Sequence, residues 1–216
     1  ILHEVHKGNT VDKKTLESMQ INLNKRLGIN NTTFLGDAGL MTQGNINNLE
    51  SNNYGYIFGR YRRKNKYAEK CLVQEIKTKE NQYAKEAYRE EIIVNGERKF
   101  RRLILCIDKD TKKKKLDNLD RIKEKIELKL KVLNEKYKKS QNRKKGKKIT
   151  KENLIVQANQ ILGKNKRIFS LNFSGGLKYS IKKKEWSYER KIAGKFLLIT
   201  NTDIDPNKAM KEYKKL

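Results

Sequence analysis

With 216 residues, the chain is long enough for one substantial core, or for one core that carries an insertion. Apolar residues make up 36% of it, more than in a disordered tail, and the single proline excludes long Pro-rich linkers. The formal net charge is +27. A chain this basic repels itself unless a polyanion, usually nucleic acid, neutralises it. An anionic membrane is the rival partner, but no apolar run approaches the roughly 20 residues that span a bilayer.

Three further observations concern composition and the chain ends. Cys71 and Cys106 lie far apart, without CxxC spacing, which is typical of reduced thiols in a cytosolic protein. An alternative explanation for part of the lysine excess is an AT-rich genome, whose codons favour Lys and Asn. The chain has no initiator Met and no helix-stop signal after Leu216, so we expect a fragment of a longer protein.

The first sixty residues predict alternating strands and helices. Apolar periodicity of two indicates strands, and spacings of three and four indicate helices. Thr42 is a predicted helix cap. The predicted elements are a strand at 1–6, a helix from about 12 to 28, a strand at 32–36, a short helix after Thr42 and a strand at 54–58. This order predicts an α/β fold with parallel pairing.

Beyond residue 60 the pattern changes. The pair Asn95-Gly96 predicts a β-hairpin between strands at 91–94 and 99–107. Thr150 and the pair Asp205-Pro206 predict helix starts. The other predicted elements are a long helix at 116–139, a loop at 143–148, strands at 168–173, 177–181 and 196–200, and a helical turn at 184–191.

Asp37 is the first candidate for chemistry. It ends an apolar strand and precedes the small residues Ala38 and Gly39, and α/β folds bind ligands at the carboxyl ends of such strands. The alternative is a turn aspartate that caps the next segment.

Other acidic and histidine pairs are candidates for metal binding, but each has a simpler structural explanation. His3 and His6 would point to opposite faces of a strand, and Asp205 is placed as a helix cap. The pair Asp108 and Asp110 lies in a strand-to-helix turn, and Asp203 precedes the Asp205 cap. The lysines at 112–115 indicate a solvated face, with non-specific phosphate contact as the functional alternative.

The stretch from Arg60 to Lys66 interleaves cations with Tyr61, which suits phosphate contact and base stacking. The alternative is a solvated linker.

Several segments, in this order, resemble insertion-sequence transposases of the DDE class, the group with a long insertion between the second Asp and the Glu. The matching segments are 8–16 (GNTVDKKTL, opened by Gly8 and Asn9), 35–40 (LGDAGL), 54–58 (YGYIF), 194–202 (GKFLLITNT) and the last helix with Tyr213.

The resemblance implies an α+β architecture: a partial RNase H-like core at 1–60, a basic mixed strand and helix insertion domain at 61–203, and the start of a core helix at 204–216. Asp37 would be the second Asp and a ligand of Mg²⁺ or Mn²⁺ in the complete enzyme, in which three carboxylates hold two ions. The first Asp would precede Ile1, and the Glu would follow Leu216, which stands where relatives often have arginine.

The resemblance also implies cleavage of transposon ends and strand transfer into target DNA, with a homodimer on paired ends, in the prokaryotic cytoplasm near the nucleoid. This chain alone is then expected to bind DNA without catalysing the reaction. The candidate DNA contacts are Lys7, Lys13, Arg60, Arg62, Arg63, Lys64 and Lys66. The alternatives are a stand-alone basic nucleic-acid-binding module and an RNase H-like nuclease of another function.

Overall fold

The computed structural model describes residues 16, 19–21, 32–60, 66–76 and 83–216. The chain divides into two compact units, one formed by 1–108 with 195–216 and the other by 109–194. In chain order the elements are β1 (Thr33–Gly36), α1 (Gln43–Ser51), β2 (Gly55–Arg60), α2 (Lys66–Leu72), β3 (Ala84–Val94), β4 (Glu97–Ile107), α3 (Lys109–Gln141), α4 (Lys151–Leu162), a 3-10 helix (Gly163–Arg167), β5 (Phe169–Asn172), β6 (Lys178–Ile181), α5 (Lys183–Lys191), β7 (Lys195–Thr200) and α6 (Pro206–Tyr213).

A five-stranded mixed sheet in the order β1-β2-β7-β4-β3 forms the centre of the first unit. The β1–β2 pair is parallel, as the strand-helix-strand pattern predicted. The other three pairings are antiparallel. The predicted hairpin at Asn95-Gly96 is confirmed: both residues have positive φ angles, 53° and 80°, and β3 runs directly into β4 across them.

Side chains alternate along each strand, so both faces of this sheet carry apolar residues. A helix packs on each face. On one face Tyr56 and Phe58 stack at 5.3 Å, and α1 packs beside them. On the other face α6 buries Ala209 and Met210 against a cluster of strand residues, listed as Ile57, Ala84, Ile104, Cys106 and Leu198. The resulting architecture is mixed α and β, which agrees with the expected α+β class.

The predicted helix caps are confirmed, and each rests on a local hydrogen bond. Thr42 Oγ1 accepts from Asn45 N at 3.1 Å, and Thr150 Oγ1 accepts from Asn153 N at 3.2 Å. Asp205 Oδ1 accepts from the backbone of residues 207 and 208 at 3.0 Å, with Pro206 in the first turn. These bonds satisfy amide groups that a helix start leaves without partners.

The second unit has its own core. Its long helix α3 spans 33 residues, from Lys109 to Gln141, and is longer at both ends than the predicted 116–139. The antiparallel pair β5–β6 and the helix α4 pack against it. The buried residues of this core are Ile126, Leu130, Leu133, Leu154, Ala158, Leu162, Ile168, Phe169 and Leu177.

The compact second unit starts later and ends earlier than the expected insertion at 61–203. The strands β3, β4 and β7 lie in the same sheet as β1 and β2, and β4 pairs with β7 from Arg102–Thr200 to Ile107–Lys195. These pairings join residues about 90 to 100 positions apart, so no local pattern in the sequence marks them. The predicted strand at 1–6 lies outside the described residues, as does most of the predicted helix at 12–28.

Candidate functional site

Asp37 lies at the carboxyl end of β1, at the edge where the parallel strand β2 continues beside it. Gly36 pairs with Phe58 as the last rung between β1 and β2, so Asp37 follows directly after the end of the ladder, while Gly59 continues β2. Phe34 and Gly36 are buried, whereas Asp37 is exposed. A buried apolar strand therefore ends in a solvent-accessible carboxylate, as the sequence predicted.

Gly36, the last residue of β1, is closely packed. A Cβ on Gly36 would lie 2.6 Å from Leu40 Cδ1 and 3.2 Å from the Phe58 ring, so no larger side chain fits there without a shift. The backbone N–H of Gly39 donates to Asp37 Oδ1 at 2.7 Å. This bond is that of a turn aspartate, and it engages one of the two carboxylate oxygens. Both interpretations of Asp37 therefore stay open, since a carboxylate accepts more than one partner.

Tyr213 packs over the neighbouring strand. A Cβ on Gly59 would lie 2.4 Å from the Tyr213 hydroxyl, so the glycine makes room for the phenol. The Tyr213 ring also lies 5.9 Å from that of Phe196. Burial raises the pKa of Tyr213, and the negative charge of Asp37 raises it further. Asp37 and Tyr213, 176 positions apart in the chain, therefore share one electrostatic environment.

The helix α6 that carries Tyr213 is fixed at both ends. Near its start, Asn207 Oδ1 accepts from the backbone N–H groups of Tyr83 and Ala84, at 2.8 Å and 3.1 Å. After its end, Lys214 forms an ion pair with Asp108. Because these contacts tie the helix to β3 and to the end of β4, the position of Tyr213 against Gly59 is set by the fold of the sheet.

The segment between β7 and α6 has a structural role. Asn201 Oδ1 accepts from Tyr56 N, and Asn201 Nδ2 donates to Tyr54 O, both at 2.9 Å. One side-chain amide thus replaces a rung of the β2–β7 ladder. The Thr200 hydroxyl, in turn, lies 2.9 Å from that of Thr202. The polar motif at 200–202 therefore holds the sheet together just before α6 begins.

Divalent ions of the kind expected here need several oxygen ligands. In the part of the chain that the structure describes, no three His, Cys, Asp or Glu side chains come together. Asp37 offers one carboxylate, which does not fit a two-ion site by itself. Asp205 is occupied as a helix cap, Asp203 pairs with Arg89, and Asp108 pairs with Lys214.

Most of the candidate DNA contacts fall where the structure describes nothing. Lys7, Gly8, Asn9 and Lys13 lie outside the described residues, as do Arg62, Arg63 and Lys64. Arg60 is the last residue of β2 and Lys66 the first of α2, and their side chains also lie outside the described part.

Two arginine networks that were not predicted from the sequence lie one on each face of β4. Arg101 donates two hydrogen bonds to the buried Glu50, both at 2.8 Å, and Glu50 also accepts from the Tyr56 hydroxyl at 2.8 Å. Burial, followed by the charge of Glu50, raises the pKa of Tyr56. The adjacent Arg102, 5% exposed, donates to Glu86 and to the carbonyl oxygens of residues 202 and 204. Successive arginines inside an apolar strand were the signal, because neighbouring residues face opposite sides.

Comparisons with protein-family models, with curated proteins and with solved structures found no match to this chain. Among the described residues, no helix is both long enough and apolar enough to cross a bilayer.

Proposed function

We propose that the chain is part of a DDE-type DNA transposase with a partial RNase H-like core. In this proposal it binds DNA and supplies Asp37 as one of three metal-binding carboxylates, and residues outside the 216 supply the other two. The observation that carries the proposal is the exposed carboxylate of Asp37, which directly follows the last rung of the β1–β2 ladder and whose charge raises the pKa of Tyr213.

The position of α6 supports the assignment of Tyr213 to the motif that precedes the Glu. The resemblance places that Glu about two turns of helix beyond Tyr213. Each helical turn advances about 5.4 Å, and Tyr213 already lies over the strand next to Asp37. If α6 continued beyond Tyr213, the helix that carries the Glu would therefore leave the sheet near the edge where Asp37 lies.

The ions would be Mg²⁺ or Mn²⁺, held jointly by Asp37 and by carboxylates outside this chain, and they would stabilise charge on the oxygens of the phosphodiester. The role of this chain's own residues is to hold the Asp37 carboxylate in place. The short turn to Gly39 fixes the carboxylate, and the close packing at Gly36 fixes the strand end. DNA ends and target DNA would be the partners, with a homodimer on paired ends, in a prokaryotic cytoplasm.

The first test measures Mg²⁺-dependent nicking of supercoiled plasmid by the 216-residue chain, beside its Asp37→Asn variant. We expect plasmid binding that weakens steeply with salt, and no nicking that depends on Asp37. Nicking that Asp37→Asn abolishes would mean that this chain assembles a complete metal site, contrary to the proposal.

The second test uses the longer protein obtained by extending the reading frame on both sides. Cleavage of element ends by that protein should be lost in Asp37→Asn while DNA binding is retained. Asp110→Asn is the matched control, because Asp110 is also an exposed aspartate and lies in α3. Equal cleavage by the wild type and the Asp37→Asn variant would rule out a metal-ligand role for Asp37.

The alternative is a stand-alone basic nucleic-acid-binding module. The hydrogen bond between Asp37 and Gly39 favours it, because that bond alone accounts for an aspartate in a turn. A reading frame that starts just before Ile1 and stops after Leu216 would support this alternative. An Asp-bearing strand upstream and a Glu shortly downstream would support the transposase.

A further inference from the structure

The positive charge of the chain is concentrated in the second unit. Residues 109–194 contain 28 Lys and Arg against 9 Asp and Glu, a net charge of +19 out of +27 for the whole chain. The other unit is larger and carries the remaining +8. A polyanion is therefore attracted mainly to 109–194, whereas the seven candidate DNA contacts from Lys7 to Lys66 lie outside this unit.

Within the second unit, one segment has cations without any acidic residue. Between Lys138 and Lys151, eight of fourteen residues are Lys or Arg, and none is Asp or Glu. Along α3 before this segment, lysines alternate with carboxylates such as Glu124 and Glu127, so that helix face is partly self-neutralised. The segment around the α3–α4 connection has no acidic residues, so its positive charge is not neutralised in this way.

Side-chain hydrogen bonds fix the base of the α3–α4 connection. At its base, Ser140 Oγ donates to Tyr137 O at 2.7 Å and accepts from Ile149 N at 3.2 Å. Beside it, Gln141 Nε2 donates to Ile149 O at 2.8 Å. Ser140 is 3% exposed, so its hydroxyl is a buried clasp that joins the two ends of the loop.

We call residues 142–148 the basic loop. All seven are exposed, and Gly146 has a φ of 101°, a conformation that favours glycine. Five of the seven are cations: Arg143, Lys144, Lys145, Lys147 and Lys148. None of their side chains pairs with a carboxylate among the residues that the structure describes. Five like charges held together by a clasp repel one another, and a partner with closely spaced negative charges would relieve that repulsion.

We propose that the basic loop contacts the phosphate backbone of double-stranded DNA. Duplex DNA carries one negative charge per about 1.7 Å of axis, and lysine and arginine ends bind phosphate oxygens without reading sequence. The choice of DNA over another polyanion rests on the proposed function. The loop positions the protein on DNA and adds affinity, and it has no part in metal binding.

The test is a pair of charge-matched variants of the full chain. In the loop variant the five loop cations are changed to glutamine (Arg143→Gln, Lys144→Gln, Lys145→Gln, Lys147→Gln, Lys148→Gln). In the control variant five exposed lysines elsewhere in the same unit are changed (Lys164→Gln, Lys166→Gln, Lys178→Gln, Lys183→Gln, Lys184→Gln). Both variants lower the net charge from +27 to +22. Circular dichroism and the thermal midpoint verify that both fold like the wild type.

The affinity for a fluorescent 30-base-pair duplex is measured by anisotropy over a salt series in EDTA. We expect the loop variant to bind about tenfold more weakly or worse, with a slope of log K against log salt smaller by about 3. The affinity of the control variant should fall by less than about threefold, because salt screens the attraction between DNA and charges that do not contact it.

Two outcomes would overturn the proposal. Equal weakening in both variants would show that net charge acts without a defined loop contact. Unchanged duplex binding in the loop variant, with lost binding to an RNA hairpin or to phosphatidylserine vesicles, would assign the loop to another polyanion. Because EDTA removes divalent ions, the measurement is independent of Asp37. Failure of the transposase proposal in the cleavage tests is therefore distinguishable from failure of this one.

Discussion

The hydroxyl of Tyr213 lies against the backbone of Gly59, at a point where a methyl group on residue 59 would come within 2.4 Å of the oxygen. Gly59→Ala must therefore displace the Tyr213 ring or shift α6. We expect the free energy of unfolding to fall by about 1–3 kcal/mol, the usual cost of overpacking. Urea denaturation followed by circular dichroism measures this loss.

Two variants test the cause of that loss. Tyr213→Phe added to Gly59→Ala removes the nearest atom and should restore part of the stability. Gly44→Ala, in the first turn of α1 with 3.9 Å to the nearest atom, should stabilise the chain slightly, because alanine favours helix. Loss of stability in Gly59→Ala that Tyr213→Phe does not reduce would mean that another contact is responsible.

The charge of Asp37 should be detectable at Tyr213. Asp37→Asn removes a negative charge that disfavours the phenolate, so the pKa of Tyr213 should fall towards its ordinary value. Burial would still keep that pKa raised. A pH titration by NMR, with ¹³C in the tyrosine rings, separates Tyr213 from the other nine tyrosines. Asp203→Asn is the control, and an equal shift in both variants would refute a specific coupling.

The ion pair between Glu50 and Arg101 should be costly to break. Glu50 is 1% exposed, so Glu50→Gln leaves the partly buried Arg101 guanidinium with the more exposed Glu90, 3.9 Å away, as its counter-charge. We expect a loss of about 3 kcal/mol, measured by chemical denaturation. Arg101→Met on top of Glu50→Gln should recover part of it. Glu97→Gln, which removes an exposed carboxylate 4.0 Å from Lys99, should change stability by less than about 0.5 kcal/mol.

Burial raises the pKa of Cys106 to about 12. In the native protein at pH 8 we therefore expect no alkylation of Cys106 by iodoacetamide, and full alkylation after unfolding, both read by mass spectrometry. Rapid alkylation of the native protein would contradict the burial of this thiol.

The same shift makes stability depend on pH. The unfolded thiol loses its proton near pH 9, whereas the folded thiol keeps it until about pH 12. Between these values the unfolded state binds fewer protons, so the free energy of unfolding falls as the pH rises. Cys106→Ala lacks this group, and its stability should fall less steeply over the same range. Parallel curves for the two proteins would show that the thiol contributes nothing.

Local signals in the sequence predicted the parts of the fold that depend on neighbouring residues. The hairpin at Asn95-Gly96 needs two residues that tolerate positive φ, and the helix starts at Thr42 and Thr150 need a side-chain acceptor three residues before an N–H group. Each condition is met within four residues. The same holds for Asp37, whose exposed position follows from the end of a buried strand.

The long-range arrangement could not be predicted in this way. The entry of β7 between β2 and β4 joins residues 57 and 200, and nothing in either segment specifies the other. The sequence alone gives Arg101 and the buried Arg102 as surface charges, because only the folded sheet brings Glu50 and Glu86 to them. The clasp at Ser140 was also missed, because its partner Ile149 lies on the far side of a seven-residue loop.

The register of β4 and β7 also determines how the second unit is attached. Ile107 and Lys195 are direct partners in the antiparallel ladder, so the chain leaves the sheet and returns to it at neighbouring points, about 5 Å apart. The 86 residues from Lys109 to Gly194 therefore take the place of a hairpin loop between the antiparallel strands β4 and β7. For a flexible connection, each doubling of the length costs about 0.6 kcal/mol of closure entropy. A basic body of this size can thus be exchanged, shortened or replaced by a tight turn while the strands that position Asp37 keep their order.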